Sequence, residues 1–128
     1  MMVFVYSLTV SLLLNFNHSN DIPFISLETA FSNNNAAEIV LLGKDKLLLN
    51  VLGNEGAYSQ SQATLILKDF FTKKPGNSFK FIFKGKETSE GCFAIGKYIS
   101  KTESFRITIQ FKKINLDYKI ESITIEKS

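Results

Sequence analysis

Tryptophan is absent from this chain, proline occurs twice, and cysteine and histidine occur once each. A single cysteine, Cys92, allows no intramolecular disulfide, so any fold must rest on a packed core. Cys92 itself reads as a small buried hydrophobe in a strand, because free cysteine is among the most buried residue types. The single histidine, His18, precedes every charged side chain in the chain. The remainder therefore has no imidazole, which excludes Ser-His-Asp and Cys-His sites within it. The same scarcity argues against a zinc centre, which draws on Cys and His ligands. The phosphate-loop pattern G-x-x-x-x-G-K-[ST] is missing too. No metal, cofactor or catalytic residue is expected.

Charge is absent from the first twenty residues, MMVFVYSLTVSLLLNFNHSN, if His18 is neutral. Met1 to Phe16 is mostly apolar, too short for a membrane span of about 20 residues and suited to the core of a signal peptide. No Lys or Arg precedes the run and no A-x-A-like site follows it. The expectation is a signal peptide over 1–20, export to the periplasm or beyond, and no stable membrane anchor after cleavage. A retained anchor and an N-terminal helix or strand are the alternatives. Residues 21–128 then form one domain holding all 15 basic and all 12 acidic side chains, for a net charge of +3. That balance neither demands nor excludes an acidic partner.

What is plentiful is phenylalanine, with 12 residues. The segment that organises them runs from Gly53 to Gly76. Ser59 and Gln62 form the S-x-x-Q capping box of a helix start. Ala63, Ile66, Leu67, Phe70 and Phe71 then repeat on one helical face. Lys73 and Lys74 suit the negative end of the helix dipole, and Pro75-Gly76 stops the helix. Leu65 falls on the far side of this wheel. Upstream, Asp21-Ile22-Pro23 opens a helix carrying Phe24, Leu27 and Phe31. Asn33-Asn34-Asn35 ends it and caps a second short helix, Ala36 to Leu42, with Gly43 behind it. Leu47 to Leu52 reads as a strand and Gly53 to Gly56 as a loop.

After Gly76 the period changes from 3.6 to 2. Phe79, Phe81 and Phe83 alternate with Lys80, Ile82 and Lys84. Phe93, Ile95 and Ile99 line one side of the next strand. Phe105, Ile107, Ile109 and Phe111 form the clearest strand. Tyr118 and Ile120 lie in one phase and Ile123 and Ile125 in the other, which predicts a β-bulge near Glu121-Ser122. Short links predict a four-stranded antiparallel meander. The order α-α-β-α-β-β-β-β, helices early and strands late, is that of an α+β fold with a curved antiparallel sheet packed on helices.

Several of these stretches carry a resemblance. N-E-G-A-Y-S-Q-S-Q-A at Asn54–Ala63, I-L-K-D-F-F at Ile66–Phe71, S-F-K-F at Ser78–Phe81, F-A-I-G at Phe93–Gly96 and F-R-I-T at Phe105–Thr108 resemble domain-of-unknown-function family 4783, small exported bacterial proteins. The likeness covers roughly Asp21 to Glu126. It implies a nuclear-transport-factor-2-like or cystatin-like fold, a curved sheet wrapped around helices that often leaves a conical pocket. It implies no activity, since that superfamily includes isomerases, dehydratases and plain binding or dimerisation domains.

Asp45, Glu55, Asp69, Glu87, Glu90, Glu103 and Asp117 fall in turns or on polar faces. An isomerase-like or dehydratase-like site would need one of them buried beside a tyrosine. The leading expectation is instead a non-catalytic domain binding a small apolar ligand or peptide, with Tyr58, Phe70, Tyr98 and Tyr118 as candidate pocket residues. The alternative is a homodimerisation or interaction module using Ile82, Arg106, Thr108 and Gln110 on the outer sheet face. Lys68 to Lys86 holds six lysines against one Asp. Bases would stack on aromatics sharing that basic face, and strand alternation sends the phenylalanines to the other side, so no nucleic-acid partner is expected.

Overall fold

The structure is a computed structural model that describes residues 21–128. The expected signal peptide lies outside the described residues. The elements are α1 (Phe24–Ser32), α2 (Ala36–Leu41), β1 (Gly43–Val51), β2 (Asn54–Ser59), α3 (Gln60–Lys73), β3 (Ser78–Lys84), β4 (Gly91–Ser100), β5 (Glu103–Ile114) and β6 (Asp117–Lys127). The strands form one sheet in the order β2-β1-β6-β5-β4-β3. The α+β class and the antiparallel β3–β6 meander are as expected from the sequence.

Two features of the sheet differ from expectation. Gly53 to Gly56 is not a loop, because β2 begins at Asn54 and pairs with β1. Only Leu52 and Gly53 turn the chain, both at positive φ (53° and 94°), the signature of a two-residue hairpin turn. The Gly53 N–H donates to Asn50 Oδ1 at 3.0 Å. Secondly, β1 runs parallel to β6, so the sheet is mixed. Leu49 pairs there with Ile123 and Val51 with Ile125, both apolar matches on the inner face.

The helix ends are built from local side chains. Ser59 Oγ accepts from the Gln62 N–H at 3.3 Å and Gln62 Oε1 accepts from the Ser59 N–H at 3.0 Å, completing the capping box of α3. Asn35 Oδ1 accepts from the Glu38 N–H at 3.2 Å and caps α2. At the end of α1, Asn34 takes φ 55°. Its N–H reaches Phe31 O and the Asn35 N–H reaches Ala30 O, which is the Schellman closure.

Aromatic rings fill the space between helices and sheet. Phe70 of α3 meets Phe105 of β5 edge-on, with centroids 5.3 Å apart. Phe31 of α1 sits between Phe71 at 6.0 Å and Phe79 of β3 at 4.6 Å. The two apolar sets read from the sequence therefore face each other, with α1 relaying the contact to β3. Burying each of these side chains stabilises the fold by roughly 1.5–3 kcal/mol.

Strand phase holds in β4 and β5 and slips in β3. The β6 bulge is where the pattern put it: Gln110 pairs with Ser122 and Phe111 with Ile120, leaving Glu121 as the extra residue. A second bulge, at Ile82, carries no sequence signal. Phe81 pairs with Gly96 but Phe83 with Ile95, so the inward series Phe79, Phe81 does not continue to Phe83. Phe83 turns to the outer face, 49% exposed, and packs on Phe93. In β4 the inward residues are Ala94, Gly96, Tyr98 and Ser100, whereas Phe93 and Ile99 are exposed. Phe93, Ile95 and Ile99 thus share one side of β4, as the alternation predicts, and it is the outer side because Phe79 occupies the space beneath the strand, where Gly96 leaves room for its ring. At the β3 edge, Glu28 Oε2 accepts the Phe81 N–H at 3.0 Å, which occupies a donor that another chain could pair with.

Candidate functional site: an apolar cleft beside the central helix

The β1–β2 hairpin and α3 diverge from a common point at Ser59, and the gap between them is a cleft of about 400 Å³. Val51, Leu52 and Asn54 line it from the hairpin turn, Tyr58 from β2, and Leu65, Ile66 and Phe70 from α3. Asp69, Lys73 and Lys74 complete the lining. The Tyr58 ring lies over Gly56, where a β-carbon would overlap it. That contact accounts for the Glu55-Gly56-Ala57-Tyr58 order: residues two apart in a strand share a face, and the ring needs a bare neighbour.

The charged groups around the cleft are already paired. Lys73 Nζ lies 3.0 Å from Asp69 Oδ2, one helical turn away. Lys74 Nζ lies 2.7 Å from Glu103 Oε1, and Lys127 Nζ lies 3.3 Å from Glu103 Oε2. Hydrogen bonds from these two ammonium groups hold the Glu103 carboxyl below the usual glutamate range.

Of the four candidate pocket residues, the cleft brings together Tyr58 and Phe70. Tyr98 is fully buried elsewhere in the core. Its hydroxyl donates to Lys74 O at 2.7 Å and accepts from Asn34 Nδ2 at 3.1 Å. Burial pushes its pKa up. Tyr118 donates to Glu87 Oε1 at 3.1 Å, beneath Lys113, and does not line the cleft. Val51, Leu52 and Leu65 line the cleft without having been candidate pocket residues. Only Leu65 left a signal, as an apolar residue off the buried face of its helix; it is 66% exposed.

The candidate interface residues lie on the opposite, outer side of the sheet. Ile82 protrudes at the β3 bulge, 65% exposed. Arg106 pairs with Glu126 Oε2 at 3.1 Å, and Gln110 Oε1 accepts from Ser122 Oγ at 3.2 Å. Thr108 stands opposite Thr124 in the ladder.

Among the described residues, the one tyrosine–carboxylate contact, Tyr118 with Glu87, involves an exposed glutamate. None of the 12 acidic residues is buried, so no carboxylate is held beside a tyrosine inside the sheet. Among the described residues no group of three His, Cys, Asp or Glu could hold a metal ion. Cys92 is half-buried, and burial followed by the Glu87 carboxylate raises its thiol pKa. Every buried side-chain nitrogen and oxygen among the described residues has a hydrogen-bond partner.

The model of a family described as a domain of unknown function, DUF4783, matches residues 24–126. The chain belongs to the DUF4783 family. A solved DUF4783 protein from Bacteroides ovatus superposes with a TM-score of 0.77 at 29% identity, covering 86% of this chain and 98% of that one. The DUF4783 architecture extends further in structure than in sequence. A domain of unknown function with a cystatin-like fold from Nostoc punctiforme gives a TM-score of 0.63 at 9% identity, covering 80% of this chain and 71% of that one. An NTF-2-like protein of unknown function from Silicibacter pomeroyi gives 0.60 at 8% identity over 100% of both chains. These two share the fold of this DUF4783 domain. No curated protein matches.

Proposed function

We propose that this DUF4783 domain is a non-catalytic, exported binding module that takes a small apolar ligand, or the apolar side chains of a peptide, in the cleft between the β1–β2 hairpin and α3. The carrying observation is Leu65, which no other helix among the described residues covers and which lines an apolar concavity with Tyr58, Ile66 and Phe70. A volume of about 400 Å³ lies in the range of small-molecule sites. The cleft's charged groups pair among themselves or with Glu103, so an apolar body can enter without stranding an unpaired charge.

Amide chemical-shift mapping with decanoate and with 1-anilinonaphthalene-8-sulfonate tests this reading. The expected perturbations centre on Tyr58, Leu65, Ile66 and Phe70, and Leu65→Glu weakens binding about tenfold, or ~1.4 kcal/mol. Absence of any shift with both probes, or binding unaffected by Leu65→Glu, overturns it. Export is tested separately, by fractionating cells that express the whole chain and weighing the product. The mature form lacks residues 1–20 and leaves the cytoplasm.

A further inference from the structure

The outer sheet face carries an order that neither helices nor cleft explain. Lys80 of β3 stands opposite Lys97 of β4, Lys97 opposite Arg106 of β5, and Arg106 opposite Glu126 of β6. Three cations thus stand side by side across adjacent strands. Neighbouring strands lie about 4.8 Å apart, and like charges placed directly opposite destabilise a sheet. Arg106 has Glu126 at 3.1 Å and Lys80 reaches Glu28 only at 3.9 Å. Lys97, in the middle, has no carboxylate within ion-pair distance among the described residues.

One row along, the same face turns apolar. The bulge at Ile82 swings Phe83 out opposite Ile95, and the Phe83 and Phe93 ring centroids lie 5.5 Å apart. Phe93 is 42% exposed. A cationic row beside an exposed aromatic pair is an electrostatically one-sided surface with an apolar anchor.

We infer that this face docks an acidic, apolar-containing polypeptide segment of another protein, its carboxylates on the Lys80–Lys97–Arg106 row and its apolar side chains on Phe83, Phe93 and Ile95. Charge complementarity selects this occupant. A second copy laid face to face would bring two cationic rows into one interface, with Glu126 and the more distant Glu28 of each row to offset them. Single-stranded nucleic acid fits less well. Phe83 and Phe93 do share the basic face, unlike Phe79 and Phe81, but the two rings pack on each other instead of lying open as stacking platforms. Glu126 at the end of the row also repels phosphate. The inference does not depend on the cleft.

Fluorescence anisotropy tests it, with a labelled heptapeptide alternating Glu with Phe and Leu as the probe. The same peptide with Lys for Glu and a twelve-nucleotide oligothymidylate are the comparisons. The acidic peptide binds the wild-type domain, and affinity falls about tenfold or more in Lys97→Glu. The milder Lys97→Gln loses less, and Leu65→Glu loses nothing. Salt at about 0.5 M weakens binding, because screening then acts over a few ångströms. Three outcomes overturn the inference: no binding of the acidic peptide, equal or tighter binding of the basic peptide or oligothymidylate, or binding lost in Leu65→Glu and kept in Lys97→Glu. A stable dimer in sedimentation velocity that protects the Phe93 amide from exchange also overturns it.

Discussion

The ring of Phe79 lies so close over Gly96 that a β-carbon at Gly96 would overlap it. This one approach sets the phase of β4. It turns the small residues Ala94 and Gly96 inward and sends Phe93 and Ile99 to the outer face, where both are exposed. Gly96→Ala must therefore displace a buried ring in a filled core. The expected cost is about 1–3 kcal/mol. Each kcal/mol lowers the melting temperature by roughly 4–8 °C in a domain of about this size. Combining Gly96→Ala with Phe79→Leu regains part of the loss, which thermal unfolding of the single and double variants would register.

Asn34 does two separable jobs. Its backbone takes φ 55°, and its side chain donates to Phe31 O and Tyr98 Oη at 3.0 and 3.1 Å. Asn34→Gly keeps the backbone conformation and loses the hydrogen bonds, at about 1 kcal/mol each. Asn34→Ala loses the same bonds and adds the cost of a left-handed backbone, about 1 kcal/mol more. Urea denaturation should rank wild type above Gly above Ala; equal Gly and Ala variants would deny the backbone role.

Phe70 belongs to the core and to the cleft. It contacts Phe71, Tyr98 and Phe105 and lines the cleft. Phe70→Ala should cost about 3–5 kcal/mol, seen as a lower denaturation midpoint at unchanged slope. Leu65→Glu, at an exposed position, should leave that midpoint nearly unchanged. The pair separates folding from binding.

Glu103 couples stability to pH. Hydrogen bonds from Lys74 and Lys127 depress its folded pKa below the ordinary value of 4.5. The unfolded state therefore binds the proton more readily. The contribution is fully present above the unfolded pKa and is lost as pH falls through the depressed folded value. Glu103→Gln should flatten the stability profile on the acid side while matching its own neutral-pH stability more closely at low pH. A wild-type profile with no extra acid sensitivity relative to Glu103→Gln would remove the linkage.

What is legible in the sequence follows from local rules. The capping box of α3 needs only Ser59 and Gln62, three residues apart. The inner face of β5 needs only alternation from Phe105 to Phe111. The β6 bulge is visible in the sequence because Tyr118-Ile120 and Ile123-Ile125 change phase across Glu121-Ser122. The β3 bulge was invisible because Phe79, Phe81 and Phe83 alternate without a break. Likewise Leu52-Gly53 lacks the Asn-Gly or Asp-Gly signal of a two-residue hairpin turn, so β2 read as loop. Of the candidate pocket residues, Tyr58 and Phe70 line the cleft. Leu65 stands off the buried face of its helical wheel, and Val51 and Leu52 carry no sequence signal.

The sequence by itself determined where helices start and stop, that the second half is a strand meander, and that histidine-dependent chemistry is excluded from residues 21–128. Those properties depend on near neighbours and residue types. Tertiary structure alone decided that β1 lies parallel to β6, that Phe83 and Phe93 share the outer face with Lys97, and that the cleft opens beside α3. Each of these requires segments distant in the chain to compete for the same space, and the volume of one buried ring, such as Phe79 against Gly96, settles which face the next strand presents.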